Sequence, residues 1–292
     1  MAPPTFDLQS HSIHSDGALA PRAVVAAARA AGVELLALTD HDTVDGVDEA
    51  LEAAAAEDVR VVPATELSSV DGDRDDLHVL GYGLDHRSPA LRDALERYRA
   101  DRFRRSERMA EALRECGLAL DFPDRGDRSV GRPHLAQAAF AHPDNRMRLR
   151  DEGIVNFSQL LERYLVPGEA AYRPRTTPTV AEAIETIHAA GGVAVWAHPF
   201  CDIDAGAEVL AAVDRFAAEG LDGVEAFYAT HTEPQTHLVA AHCAERGLLT
   251  TGSADFHGPE HPRFNRFRAF ELYGLEPDLG PIGSGGHSRV TQ

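Results

Sequence analysis

Lysine is absent from the 292-residue chain, so all 28 basic residues are arginine. Every fixed positive charge is therefore a guanidinium, which keeps its charge and grips phosphate in a bidentate way. Against these stand 47 acidic residues, and the net charge of −19 opposes long duplex nucleic acid and anionic membrane surfaces. Cysteine is scarce. Cys116, Cys201 and Cys243 are odd in number and widely spaced, which excludes a disulfide framework, offers no thiolate metal set and suits a reducing cytosol. No stretch approaches the roughly 18 uninterrupted apolar residues of a membrane span, and MAPPTFDLQS lacks the basic and apolar regions of a signal peptide. A cytoplasmic protein is expected. With 43% apolar and 26% charged residues the chain has a globular composition, sufficient for one large domain or two ordinary ones. Its excess is in histidine, of which there are 15.

Short apolar runs alternate with Ala-rich helical stretches: FDLQSHS, a helix opened by Pro21, ELLALTD, a helix through Leu51 and Ala55, then VRVVPATEL. This alternation predicts a parallel sheet. LHVLGYGL (77–84) reads as a further strand, and the pattern returns after about residue 179 with GVAVWAHP, GVEAFY and LLTTGSAD, separated by helices near 205–219 and 234–246. Residues 1–87 and 179–275 are expected to close into one barrel-like α/β domain. Residues 88–178 have helical patterning without a convincing strand and read as an inserted helical subdomain. Its charge departs from the mean, because 15 of the 28 arginines fall between residues 87 and 150, six of them from Arg97 to Arg108. Glu/Arg pairs on a solvated helix face account for about half of these. Residues 276–292 read as a flexible tail.

Candidate metal ligands recur at the expected C-terminal ends of strands, where α/β sheets and barrels build their sites. Gln9, His11 and Asp16 follow the first strand; Asp40, His41 and Asp42 the second; Glu66 ends the third; His78, His198, Asp255 and His257 come later. Residues two apart on a strand share a face, so Gln9 with His11, and Asp255 with His257, can each point at one centre. Each has a duller explanation as a hydrogen-bonded histidine, a helix cap or a turn former. That explanation must be repeated at every strand end. Nitrogen and carboxylate ligands of this kind suit Mn²⁺, Fe²⁺ or Zn²⁺. His14, His86, His188, His242, His261 and His287 fall outside the pattern and are read as structural or solvent-facing.

The segments DLQSHSIHSDG (7–17), LTDHDT (38–43), ATEL (64–67), AHPF (197–200) and GSADFHG (252–258) resemble, in order, the motifs of the PHP (polymerase and histidinol phosphatase) family. The resemblance covers nearly the whole chain. It implies a distorted (β/α)7 barrel that holds two to three divalent metal ions, manganese foremost with iron or zinc as alternatives, and hydrolyses phosphate esters. Carried over by residue, it implies one metal held by His11, Glu66 and Asp255, a second by Glu66, His78 and His198, and a third by Asp16, His41 and His257. Asp255, His198 or His257 would assist proton transfer. No protein nucleophile is required, which leaves Cys201 to be read as a small buried thiol. The departure is Gln9, where the family usually has the first His of an H-x-H pair; a neutral amide is a weaker ligand and leaves the first site looser.

Within the family, GRPHLAQ (131–137), YLVPGEAAYRP (164–174) and FYATHTEPQ (227–235) resemble the branch acting on nucleoside bisphosphates and short oligoribonucleotides. That resemblance makes the insertion a substrate lid. Arg132, His134, Arg173, Arg175 and His231 become the candidate holders of a second phosphate. The expected activity is conversion of a nucleoside 3′,5′-bisphosphate to the 5′-monophosphate, with very short RNA as a further substrate. Two alternatives stay open: a histidinol-phosphatase-like or cyclic-phosphate enzyme, and a non-catalytic metal-binding module that has lost ligands, as Gln9 suggests.

Overall fold

The apolar runs pair edge to edge into a single sheet. A computed structural model describes residues 4–123 and 130–284, in which β1 (Phe6–Asp7), β2 (Leu35–Leu38), β3 (Arg60–Asp71), β4 (Arg74–Tyr82), β5 (Val193–Trp196), β6 (Gly223–Tyr228) and β7 (Leu249–Ser253) lie side by side in chain order. Closure comes from the segments that continue β1 and β7. The Leu8 N–H donates to Gly252 O at 3.2 Å and the His11 N–H to Phe256 O at 2.8 Å, with a parallel bridge between Ser10 and Phe256. All four residues of β2 are buried, as a strand covered on both faces requires.

The covering helices are those that the periodicity predicts. α1 (Pro21–Ala30) starts on a proline and buries Val24, Val25 and Ala28, while α2 (Val47–Glu57) stops at Asp58 in the left-handed region. α7 (Val180–Ala189) opens with a reciprocal cap: the Glu182 N–H donates to Thr179 Oγ1 at 3.2 Å and the Thr179 N–H to Glu182 Oε2 at 2.8 Å. α8 (Gly206–Ala218) and α9 (Glu233–Arg246) precede β6 and β7.

The expectation of a wholly parallel sheet is corrected at β4, which runs antiparallel to both β3 and β5. Gly72 and Asp73, with Gly72 at φ +59°, turn the chain tightly from β3 into β4, leaving no length for a crossover helix. The reversal has a consequence for the site. His78, at the middle of β4, pairs with Ser68, two residues beyond Glu66, and Glu66 lies within β3 and does not end it as expected, because β3 runs on to Asp71 before the chain reverses.

Residues 97–177 form a second compact unit, a narrower span than the 88–178 expected from sequence. It contains most of α3 (Pro89–Glu115), then α4 (Arg132–Ala141), a 3-10 turn, α5 (Arg146–Asp151) and α6 (Phe157–Tyr164). Met109, Leu113, Leu135, Leu149, Leu160 and Leu165 build its own core. Residues 276–284, expected as the start of a flexible tail, instead anchor on the barrel. The Thr250 N–H donates to Asp278 O at 2.8 Å, the Asp278 N–H to Thr250 Oγ1 at 2.8 Å, and a short α10 (Gly280–Ser284) follows. The rest of that tail, residues 285–292, lies outside the described residues. Among the described residues no helix is long and apolar enough to cross a membrane.

One glycine ties the fold to the strand-end residues. The turn after Ser10 brings Gly17 against His11, so that a Cβ on Gly17 would sit 2.2 Å from the His11 carbonyl oxygen. Backbone cannot yield that distance without moving His11 or Asp16. Gly17→Ala is expected to cost about 1–3 kcal/mol, several degrees in Tm, and to weaken binding of a divalent ion in a calorimetric titration. Unchanged ion binding would show that the turn shifts without carrying its side chains along.

Candidate metal centre

Glu66, on β3, has a side chain with no solvent exposure, and each of its oxygens faces two imidazoles. Oε1 lies 2.8 Å from His78 Nδ1 and 3.3 Å from His198 Nε2; Oε2 lies 3.1 Å from His11 Nε2 and 3.5 Å from His41 Nδ1. His78 Nδ1 and His198 Nε2 are 3.3 Å apart. His11 Nε2 also lies 3.1 Å from Asp255 Oδ1. Asp16 completes a third group, with His41 Nε2 and His257 Nε2 each at 3.5 Å from its carboxylate. Ligand atoms of His11, Asp16, His41 and His257 lie within 4.8 Å of one another, as do those of His41, Glu66 and His78.

Lone pairs meet at this centre without enough protons between them. His11 Nε2, Glu66 Oε2 and Asp255 Oδ1 are buried with no hydrogen-bond partner among the described residues. Their spacings match the edges, about 3.0–3.4 Å, of a polyhedron with ligands about 2.1 Å from its centre. His257 Nδ1 is held 2.7 Å from Asp255 O, which in the neutral ring places the proton on Nδ1 and turns the Nε2 lone pair toward Asp16. The donor set therefore fits hard or borderline divalent cations.

Electrostatics give the same reading. Burial alone would push His11 down, yet the Asp255 and Glu66 carboxylates close to its ring raise it well above the usual imidazole range. His198 is likewise raised: Cys201 and Glu66 outweigh its burial. Burial pushes Glu66 up, but the charges of His41 and His78 hold it well below its ordinary value. Asp255 falls to about 2, because His257 and His11 overcome the cost of its burial. Imidazoles shifted up beside carboxylates shifted down are the electrostatics of a centre that favours positive charge.

Several groups position these ligands, and all but Asp40, which was read from sequence as a candidate ligand, carried no sequence signal. Glu225, on β6, accepts the His198 N–H at 2.9 Å and the Ser253 hydroxyl at 2.6 Å, and burial pushes its carboxyl up to about 8. Asp7 accepts the Ala254 N–H at 2.9 Å and is pushed up to about 7, again by burial. These two carboxyls steady backbone that turns left-handed at His198 and Asp255, with φ of 28° and 54°. Asp40 takes hydrogen bonds from the Ser12 N–H, the Ser12 hydroxyl and the Ser15 hydroxyl at 2.6–2.7 Å, pinning the turn that presents His11 and Asp16. The Tyr228 hydroxyl donates to Asp255 Oδ2 at 2.8 Å, leaving Oδ1 toward His11. A V-E-A or F-D-L run in sequence looks like ordinary strand alternation, which hides carboxyls of this kind.

The remaining expected residues lie outside the cluster of charged ligands. The buried Gln9 has its Oε1 3.3 Å from the Ser253 hydroxyl that also reaches Glu225. His231 has its Nδ1 3.1 Å from Ala226 O, and burial lowers its pKa to about 4. Arg132, His134, Arg173 and Arg175 belong to the 97–177 unit. There, His134 Nδ1 accepts the Gly131 N–H at 3.0 Å at the start of α4. Arg173 donates to Ala170 O and Tyr172 O at 3.1 and 2.7 Å, and Arg175 is buried.

Residues 7–239 match the PHP domain family. The chain is 34% identical over 257 residues to a 3′,5′-nucleoside bisphosphate phosphatase of Chromobacterium violaceum, covering 87% of each chain. It is 32% identical over 254 residues to a 5′-3′ exoribonuclease of Haemophilus influenzae, covering 87% of this chain and 90% of that one. A solved structure of an amidohydrolase from Chromobacterium violaceum, with bound sulfate and no metal, superposes with a TM-score of 0.78 at 31% identity over 96% of this chain and 93% of that chain.

The raised histidines fix the direction of a pH effect. A ring protonated in the metal-free state must lose its proton before its nitrogen can ligate, so acid competes with the cation and alkali favours it. Affinity for Mn²⁺ is expected to fall by roughly tenfold or more between about pH 7.5 and pH 6, with protons released on binding. Calorimetric titrations in two buffers of different ionisation enthalpy measure both; an affinity independent of pH would place the ion elsewhere.

Proposed function

The chain belongs to the PHP domain family, and on that footing we propose that it is a divalent-metal-dependent phosphoesterase that removes phosphate from small nucleotides, a nucleoside 3′,5′-bisphosphate foremost and very short RNA second. The observation that carries this is the buried Glu66 carboxylate, which turns one oxygen to His78 and His198 and the other to His11 and His41. Such a carboxylate is shaped to bridge two cations. Manganese is the ion we assign first, and the acidic, membrane-span-free chain is assigned to the cytoplasm.

Bound ions would supply Lewis acidity and a water of lowered pKa. Asp255 is held by Tyr228 through Oδ2 and presents Oδ1, and it is ionised well below neutrality. His257, braced on the Asp255 carbonyl, and His198, braced through its N–H on Glu225, keep their rings in fixed orientations beside the carboxylates. These residues can take or return a proton without rearranging. Cys201, exposed where a buried thiol was expected, stands outside this scheme, and no protein nucleophile is needed. The nucleotide assignment draws support from the relatives named above and from the arginines of the helical unit, of which Arg132 is assigned first to the substrate's remote phosphate.

Purified protein reconstituted with Mn²⁺ is expected to hold at least two ions per chain by elemental analysis, to release phosphate from a nucleoside 3′,5′-bisphosphate and to lose that activity to chelators. Fewer than one ion per chain would sink the reading. Arg132→Ala is expected to cost about 2–4 kcal/mol in kcat/KM on the bisphosphate and far less on an aryl phosphate that has no remote anion. Equal losses on the two substrates would show that Arg132 acts through the fold of its unit.

A further inference from the structure

The metal centre continues into a run of planar side chains within the barrel unit. The His257 ring stacks on His11 at 4.3 Å and on His261 at 5.1 Å, and His261 stacks on Phe264 at 5.2 Å with an interplanar angle of 16°. Phe264 also lies 5.7 Å from His257 and 6.0 Å from Tyr228. His11 and Tyr228 are buried, whereas His261 and Phe264 are half-exposed and keep part of their ring surface toward solvent.

The loop holds these two rings firmly. The His257 N–H donates to Phe264 O at 2.9 Å and the His261 N–H to Gly258 O at 3.1 Å, closing residues 257–264 on themselves. The Phe264 N–H donates to His261 Nδ1 at 2.8 Å. With Nδ1 occupied as an acceptor, the neutral His261 ring carries its proton on Nε2. Two flat rings are thus fixed beside the cluster of candidate metal ligands. None of the metal-ligand geometry described above requires them. At the outer end the Arg263 guanidinium lies 6.0 Å over the Phe264 ring, and neither Arg263 nor Arg266 has a carboxylate partner among the described residues. In a chain of net charge −19, that leaves local positive charge beside exposed aromatic surface.

We propose that His261 and Phe264, with Arg263 at their outer end, form a stacking platform for the base of the nucleotide whose phosphate is handled at the Asp16–His257 side of the metal centre. The proposal rests on the nucleotide reading above and specifies how it is met. A phosphate beside His257 leaves its nucleoside about one sugar's length from the ring pair, and every base has a π face, so the platform tolerates any base while rejecting phosphate esters that lack one. This accounts for an interleaved sequence, HPRFNRFR, that metal ligation leaves unexplained.

The test separates the base from the phosphate. Phe264→Leu keeps apolar bulk, and His261→Asn keeps an acceptor for the loop N–H groups through an Asx turn, so both preserve the loop while removing a ring. Binding of adenosine 5′-monophosphate and of ribose 5-phosphate to the Mn²⁺-loaded protein is measured by calorimetry, alongside thermal melts. Each variant is expected to weaken the adenosine ligand about tenfold and leave ribose phosphate within about twofold, with Phe264→Trp restoring affinity. Wild-type protein that binds adenosine monophosphate no more tightly than ribose phosphate overturns the platform, as does an equal loss of both ligands in the variants. Phosphate release from an adenosine bisphosphate by the wild type is read separately. Its absence sinks the enzymatic reading while the binding data still decide the platform.

Discussion

A carboxylate without solvent exposure, faced by four imidazoles, is the constraint on which the rest of the barrel depends. Glu66 can be buried only if cations or hydrogen-bond donors surround it, and His11, His41, His78 and His198 are brought to it from four different parts of the chain. That convergence requires closure of the sheet between the continuations of β1 and β7 and the reversal of β4. It also requires left-handed backbone at His198 and Asp255, which residues other than glycine rarely adopt. The strain is met locally by Glu225 and Asp7, whose own burial raises their pKa values. Much of the polar interior is thus a support for one charged centre.

The strands and covering helices were legible because their apolar residues recur with the periods of sheet and helix, and the ligands because they repeat at strand ends. The antiparallel β4 was misread even though Gly72-Asp73 is a hairpin signal; the alternation of neighbouring segments masked it. His231 and His261 show the limit more sharply. In sequence each is one histidine among 15, and only the contact with Ala226 O, or stacking on His257, separates a ring that donates to backbone from one that stacks beside the ligands. Asp7 and Glu225 were illegible for a related reason: a carboxyl inside a short apolar run signals nothing until the backbone N–H that it accepts is known.

Charge is distributed on two scales. At long range the acidic surface repels polyanions, and at the centre the raised His11 and His198 make the metal-free cluster a collector of protons. A small phosphate pays little of the long-range cost, while a long duplex carries it along its whole length. The absence of lysine sharpens this division. Guanidinium groups stay charged when they are buried or paired, so the basic segment can be held in helix contacts without losing its sign.

The departure at Gln9 belongs to the same balance. Its amide shares the Ser253 hydroxyl with Glu225, in an interior that already contains two carboxyls raised by burial. A neutral side chain at position 9 adds no positive charge beside Glu225, whose pKa burial pushes up to about 8 and whose two oxygens accept the His198 N–H and the Ser253 hydroxyl. An imidazole there would add a ligand, and would also add a site for a proton next to Ser253 and Glu225. The chain thus sets Glu66, Asp16 and Asp255 among imidazoles, where cations can answer them, and places an uncharged amide beside Glu225.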